Sequence, residues 1–270
     1  MEFLTILLST LLALVSPVGL AIDTIAENIL RSRLNKVEQL QVRVDNAPSY
    51  QFVQGKVERV RIAGRGLWLT PDIRIGALEL ETDPLNLDLQ RIRGGSSPKQ
   101  SLRKPLQAGV RLVFTEEDIN KALLSPAIAA RLRQLGSSLS GESRAPYELF
   151  NPQVDFLDNN RVRFQVDLQQ KDAETLTLVV ESGLKVVAGH RFSLIEPVAT
   201  INGQSLSPFI VQGFAEGISK RYDLRSLEES GITARVLQLK VDSRELEVAA
   251  FVRVDASKEV SAATIGARLE

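Results

Sequence analysis

From Val42 to Val254 the apolar side chains fall mostly at alternate positions, in short runs separated by turn residues. Period-two spacing puts one set of side chains on one face of a strand and the other set on the opposite face. Val42-Val44, Val60-Ile62, Ile73-Ile75, Leu85-Leu87-Leu89 and Ala108-Val110-Leu112-Phe114 are the first such runs. Val162-Phe164-Val166-Leu168 alternates with charged and amide residues, and Asp158-Asn159-Asn160 before it predicts a hairpin with Val154-Phe156. Leu176-Leu178-Val180, Leu184-Val186-Ala188, Phe192-Leu194, Ile232-Ala234-Val236 and Leu239-Val241 continue the pattern. Leu246-Val248-Ala250-Val252-Val254 closes it beyond a turn at Asp242-Ser243. Most links are short, which predicts a largely antiparallel sheet of about ten or eleven strands.

Helical spacing interrupts the strands at three places, each marked by Ser-Pro. Ser16-Pro17 precedes Val18, Ile22, Ile25, Ala26, Ile29, Leu30, Leu34 and Val37, a stripe that predicts a helix to about Lys36. Thr115 and Asp118 have the spacing of a capping box, and Ile119, Ala122 and Leu123 form the apolar side of a short helix that Pro126 ends. Ser125-Pro126 starts a second short helix through Leu135, followed by a flexible connector from Gly136 to Gly141. Ser207-Pro208 opens a helix with Phe209, Ile210, Phe214 and Ile218 on one side. The stretch Arg91 to Lys99 reads as a loop. The class is α+β. The expected organisation is an apolar N-terminal segment at 1–15, one domain with two similar halves at 16–255 and a loose tail at 256–270.

Composition bounds the function. The 33 basic and 33 acidic residues balance, which argues against a general nucleic-acid binder. Cysteine is absent, so thiolate metal sites and a cysteine nucleophile are excluded. The single histidine, His190, has no second histidine to help bind zinc. Ser101-Leu102-Arg103-Lys104 matches a serine–lysine spacing without its companion motifs. This inventory points away from an enzyme and calls for no cofactor or metal. Phe3 to Ile22 carries no charge and is long enough to cross a bilayer, but Pro17 and Gly19 interrupt it. A membrane anchor, a helix extension and a cleaved signal are all compatible with it. Arg91, Arg93, Lys99, Arg103 and Lys104 form a basic cluster that reads either as a solvated loop or as a contact for anionic lipid head groups.

Phe114-Thr115-Glu116-Glu117-Asp118-Ile119-Asn120-Lys121-Ala122-Leu123, followed by Ser125-Pro126, resembles the central motif of the LmeA-like phospholipid-binding family, frequent in cyanobacteria and actinobacteria. Gly231 to Lys240 resembles that family's closing strand. The resemblance covers about residues 16 to 254. It implies a tubular lipid-binding type of fold, a strongly curved sheet wrapped around a few helices, and phospholipid binding without catalysis. On that reading Ile22, Ile25, Ile29, Ile119, Leu123, Phe164, Val166, Phe209, Ile210 and Phe214 are candidates to line an apolar cavity between helices and sheet. Each is equally at home in an ordinary core. The partners implied are a phospholipid, with an anionic head group as one option, and a membrane surface of the cell envelope or thylakoid. A membrane-anchored assembly protein with a filled core is the alternative.

Overall fold

The computed structural model describes residues 22–45, 51, 54–94, 98–139, 147–171 and 173–256. The segment expected at 1–15, the Ser16-Pro17 helix start and all but the first residue of the tail expected at 256–270 lie outside them. Helix α1 (Ile22–Arg33) leads into β1 (Lys36–Asp45). The strand opens at Lys36, where the helical stripe was expected to end, because Asn35 N–H donates to the Trp68 carbonyl and Val37 pairs with Leu67. Then come β2 (Lys56–Val57), β3 (Arg59–Thr70), β4 (Ile73–Thr82) and β5 (Leu85–Asn86). Helix α2 (Leu89–Arg93), a 3-10 turn (Pro98–Ser101) and β6 (Leu106–Thr115) follow. The chain continues through α3 (Glu116–Leu123), α4 (Pro126–Leu139), β7 (Glu148–Leu157), β8 (Arg161–Gln169), β9 (Leu176–Val187), β10 (Arg191–Ile201) and β11 (Gln204–Ser205). It ends with α5 (Pro208–Arg221), a second 3-10 turn (Leu224–Ser230), β12 (Ile232–Val241) and β13 (Glu245–Val254).

Two open antiparallel sheets result. One has the order β1-β3-β4-β6-β13-β12, the other β11-β10-β9-β8-β7, and β2 pairs with β5 as a small separate ribbon. Alternation explains the first sheet directly. Register aligns Val42, Ile62, Leu80, Val110, Ala250 and Val236 across its six strands on one face. Arg43, Arg61, Glu81, Gly109, Phe251 and Arg235 run across the other. Leu30 of α1 and Leu40, Val42, Val60, Ile62, Leu78 and Leu80 belong to one buried cluster on the apolar face.

Leu85, Leu87 and Leu102 join that cluster, but not as one long strand. The Asp88 carboxylate accepts from the N–H groups of Gln90 and Arg91 and starts α2, so the expected strand through Leu89 stops at Asn86. The stretch read as a loop from Arg91 to Lys99 therefore begins inside a helix. The expected connector from Gly136 is likewise helical through Leu139. One internal glycine, at a cost of roughly 1 kcal/mol, does not stop the helix there.

The two sheets meet through α3. Thr115 Oγ1 accepts from Asp118 N–H, and Asp118 Oδ2 accepts from Thr115 N–H, both at 3.1 Å, which completes the capping box. The buried Asp118 also accepts from Arg74 Nη1 at 2.9 and 3.1 Å, so α3 is tied to β4. Burial works against the charge on Arg74, but the Asp118 carboxylate and then Glu38 outweigh it and hold the guanidinium pKa above its ordinary value. Gly76 makes room for this pair: a Cβ there would lie 3.3 Å from Asp118 Oδ2 and 3.1 Å from the Val113 carbonyl.

On the other side, Asn120 Nδ2 donates to the Val154 carbonyl at 2.8 Å, and its Oδ1 accepts from Val154 N–H at 2.7 Å. Glu116 Oε2 accepts from Phe156 N–H at 2.7 Å. β7 is an edge strand, so these side chains take the place of a missing neighbour. The edge strand β12 is closed in the same way. Val241 N–H donates to Asn160 Oδ1 at 2.7 Å, and Val236 N–H donates to the Gly189 carbonyl at 2.6 Å.

Removing the buried Asp118 carboxylate opens the capping box and leaves the half-buried Arg74 with Glu38 alone. Asp118→Ala is expected to lower the unfolding free energy by about 3 kcal/mol, read from urea denaturation. Asn120→Ala is expected to raise the hydrogen-exchange rate of the Val154 amide well above that of the Phe164 amide on the neighbouring strand. An unchanged Val154 rate would mean that the side chain does not hold the edge.

Candidate functional site

The five-stranded sheet also has one polar and one apolar face. Asp155, Arg163 and Glu181 lie in one row of the polar face, and Glu181 pairs with Arg161 and Arg163. The apolar face carries the rows Val154-Phe164-Val180-Ala199 and Leu149-Leu168-Leu176, with Val166 beside Leu178. Its covering is uneven. Helix α5 packs on β10, while α3 and α4 pack on β7. Ala199 on β10 and Phe156 on β7 are buried, as are Val166 and Leu168 on β8. Val154, Val162, Phe164, Leu176, Leu178, Val180 and Ile201 are only half-buried. An apolar strip thus runs over β8 and β9 between helices seated on the two sides. Val110, Leu112, Val248 and Val252 on β6 and β13 of the first sheet are half-buried as well.

The sequence-derived candidates divide accordingly. Ile119 and Leu123 sit half-buried on α3, and Phe164 is half-buried in the middle of the apolar row. Val166 is 1 % exposed: it shares the face of Phe164 but is fully covered there. Phe209, Ile210 and Phe214 are exposed on α5, whose buried side is Val211 and Ala215 instead. Ile22, Ile25 and Ile29 lie on α1, which packs against β1 of the other sheet, and their side chains fall outside the described residues. Leu178 and Val180 stand beside Phe164 in the same strip. Their place in the alternating pattern was the signal for them, and it ranks them equally with Phe164.

An open hollow of about 580 Å³ lies on the charged face of the six-stranded sheet. Arg43, Arg61, Glu79, Glu81 and Arg111 surround a floor that includes Ala63, Gly109 and Ala249, and Leu237, the extra residue at a bulge in β12, stands at its side. None of the seven candidates whose side chains are described lines it. Arg111 donates to both carboxylate oxygens of Glu247 at 2.9 Å and to Glu79 at 3.2 Å.

The basic cluster is partly absorbed by the fold. Lys99 Nζ donates to the Ser230 carbonyl at 2.6 Å. Arg91 and Arg103 both approach Asp88, at 3.8 and 3.6 Å. Lys104 is exposed, and the Arg93 side chain lies outside the described residues. His190 Nδ1 is 2.9 Å from Asp223 Oδ1. Asp223 is held far below the usual carboxylate range chiefly by the Arg225 side chain, with His190 contributing less. The pair joins the β9–β10 turn to the segment after α5, where Leu224 N–H also donates to the His190 carbonyl. Among the described residues no group of three histidine, aspartate or glutamate side chains is placed to hold a metal, and no helix is long and apolar enough to cross a membrane.

A family model described as LmeA-like phospholipid-binding matches residues 16–251. No curated protein and no solved structure matches the chain. The matched region takes in both sheets, except the last three residues of β13, and all five labelled helices.

The charged face gives a test by pH. Hydrogen bonds from Arg111 hold the Glu247 carboxyl below its ordinary value against the opposing effect of burial. A depressed carboxyl stabilises the fold above its unfolded value, and that contribution is lost as pH falls through the folded one. Arg111→Gln should therefore destabilise the protein at about pH 7, with the difference shrinking below the ordinary glutamate value of about 4.3. Urea midpoints across that window read it, and a constant difference would contradict it.

Proposed function

This chain is a member of the LmeA-like phospholipid-binding family, and from that premise we propose that it holds a phospholipid, without catalysis, at a bacterial membrane. The acyl chains lie along the half-buried apolar strip over β8 and β9. Phe164, Leu178 and Val180 form the floor, with Val154 at one side, and Ile119 and Leu123 of α3 close one end. The exposed Phe209, Ile210 and Phe214 stand outside this trough. The two sheets and their helices adopt a tubular lipid-binding arrangement, and the cell envelope or the thylakoid is the setting. The observation that supports this reading is the strip itself: a family of phospholipid binders, and a sheet face whose helices cover its sides and leave its middle half open.

Magnitudes favour the apolar strip over surface charge as the source of affinity. At about 0.8 kcal/mol per buried CH₂, a sixteen-carbon chain contributes on the order of 10 kcal/mol before ordering costs. A surface cation adds about 1 kcal/mol and is screened by salt. Lys99, Arg91 and Arg103 already serve partners within the fold. With Lys104 and Arg93, the cluster biases the head group toward anionic lipids rather than supplying the grip.

Native mass spectrometry of protein incubated with phosphatidylglycerol vesicles tests the reading. One lipid per chain is expected. Phe164→Gln should lower loading roughly tenfold, the order expected for losing an aromatic contact to the chain. Gln165→Glu, one residue along on the opposite face, should leave loading unchanged. Protein that stays empty under these conditions overturns the proposal and returns the assembly-protein alternative.

A further inference from the structure

Helix α5 has more apolar surface than its strand covers. Val211 and Ala215 are buried on the side packed toward β10. Yet Phe209 is 87 % exposed, Ile210 60 % and Phe214 51 %. At 3.6 residues per turn, Phe209, Gly213, Gly217, Ile210 and Phe214 fall within an arc of about 140°. A Cβ built at Gly213 or Gly217 would have nothing within 4 Å, so the surface between the large side chains is open and flat. Lys220 and Arg221 fall in the same arc in the last turn, both exposed, and the exposed Tyr222 follows. No acidic residue lies in the arc. Glu216 sits beyond its edge and accepts from Gln212 on the polar side.

We propose that α5 is a membrane-docking helix. It lies in the plane of an anionic phospholipid surface, with Phe209, Ile210 and Phe214 in the boundary between head groups and acyl chains and Lys220 and Arg221 on the phosphates. This inference rests on the phospholipid-binding reading above and assigns a separate surface to it. An exposed apolar stripe ending in cations is the pattern of an interfacial helix, and its charge complements anionic lipid rather than a neutral protein face. The three large side chains are costly in water, and burying them in the membrane boundary relieves that cost. The location suits delivery. Because α5 packs on β10, beside the apolar strip, docking brings the trough next to the bilayer and leaves a chain only a short path between them.

Vesicle flotation and soluble-lipid binding test the two readings separately. The probes are vesicles of phosphatidylcholine with phosphatidylglycerol, and dihexanoyl phosphatidylglycerol below its micelle concentration, read by native mass spectrometry. The full chain should float with anionic vesicles. Phe209→Ser with Phe214→Ser should reduce flotation at least tenfold while the short-chain lipid still binds. Lys220→Gln with Arg221→Gln should reduce flotation with anionic but not with purely neutral vesicles. The substituted side chains are exposed, and an unchanged thermal unfolding midpoint verifies the fold. Flotation of the phenylalanine variant at the level of the unsubstituted protein overturns the docking role. So does equal loss of short-chain binding, which would make the stripe part of the lipid pocket. A dimer that the phenylalanine substitutions convert to monomer overturns it too, by making the stripe a subunit interface. Flotation that depends on the stripe without any short-chain binding supports docking and defeats the trough.

Discussion

Two open sheets cannot lie side by side in one domain unless the backbone groups on their facing edges find partners. A buried peptide group left without one costs on the order of 1–3 kcal/mol, a large part of a domain's net stability. The TEEDIN stretch meets this requirement for β7. Thr115 and Asp118 close the helix start, Asp118 reaches Arg74 on one sheet, and Asn120 and Glu116 reach Val154 and Phe156 on the other. Asn160 and Gly189 meet it for β12. Short helices suffice here because α3 acts as a connector between strand edges, and a longer helix would be carried past the seam.

That solution decides where apolar surface is left. With α3 and α4 packed on β7 and α5 on β10, Val166 and Leu168 in the middle of the five-stranded sheet are covered, but Phe164, Leu178 and Val180 stay half-buried. The first sheet is covered more fully over β1, β3 and β4, where α1 and the segments around β5 and the first 3-10 turn bring in Leu30, Leu85, Leu87 and Leu102, all buried, while Val110, Leu112, Val248 and Val252 on β6 and β13 stay half-buried. The strands under α1 therefore form a conventional core, and the half-buried aliphatic side chains of the five-stranded sheet are the ones proposed above to meet an acyl chain. The charged faces of both sheets are held by paired ions, Arg111 with Glu79 and Glu247 in one and Glu181 with Arg161 and Arg163 in the other. Such pairs add little stability individually, but they keep the outer faces soluble.

The residues that make the clamp were legible as a capping box, because that motif is local. The bonds from Asn120 and Glu116 to β7 were not, since they join residues more than thirty apart, and no spacing rule reports them. Strand positions were legible from alternation, and the β7–β8 hairpin from its Asp-Asn-Asn turn. Alternation misled at Leu89, where a single capping aspartate overrode it, and glycine and serine misled at Gly136 to Leu139, where the helix runs on through them. On α5 the stripe through Phe209 and Phe214 was recognised as apolar, but periodicity says only that residues share a side. Which side meets the sheet was set by Val211 and Ala215, whose smaller side chains allow closer approach to β10.

The central claim is that a hydrocarbon chain occupies the strip between helices on the apolar side of the five-stranded sheet. A phospholipid carrying a photoreactive diazirine near the end of one acyl chain, crosslinked in the bound state and mapped by peptide mass spectrometry, locates it directly. Adducts are expected on β8 and β9, at or beside Phe164, Leu178 and Val180. Adducts concentrated at Ala63, Gly109, Ala249 and Leu237, around the hollow on the charged face of the other sheet, would contradict it.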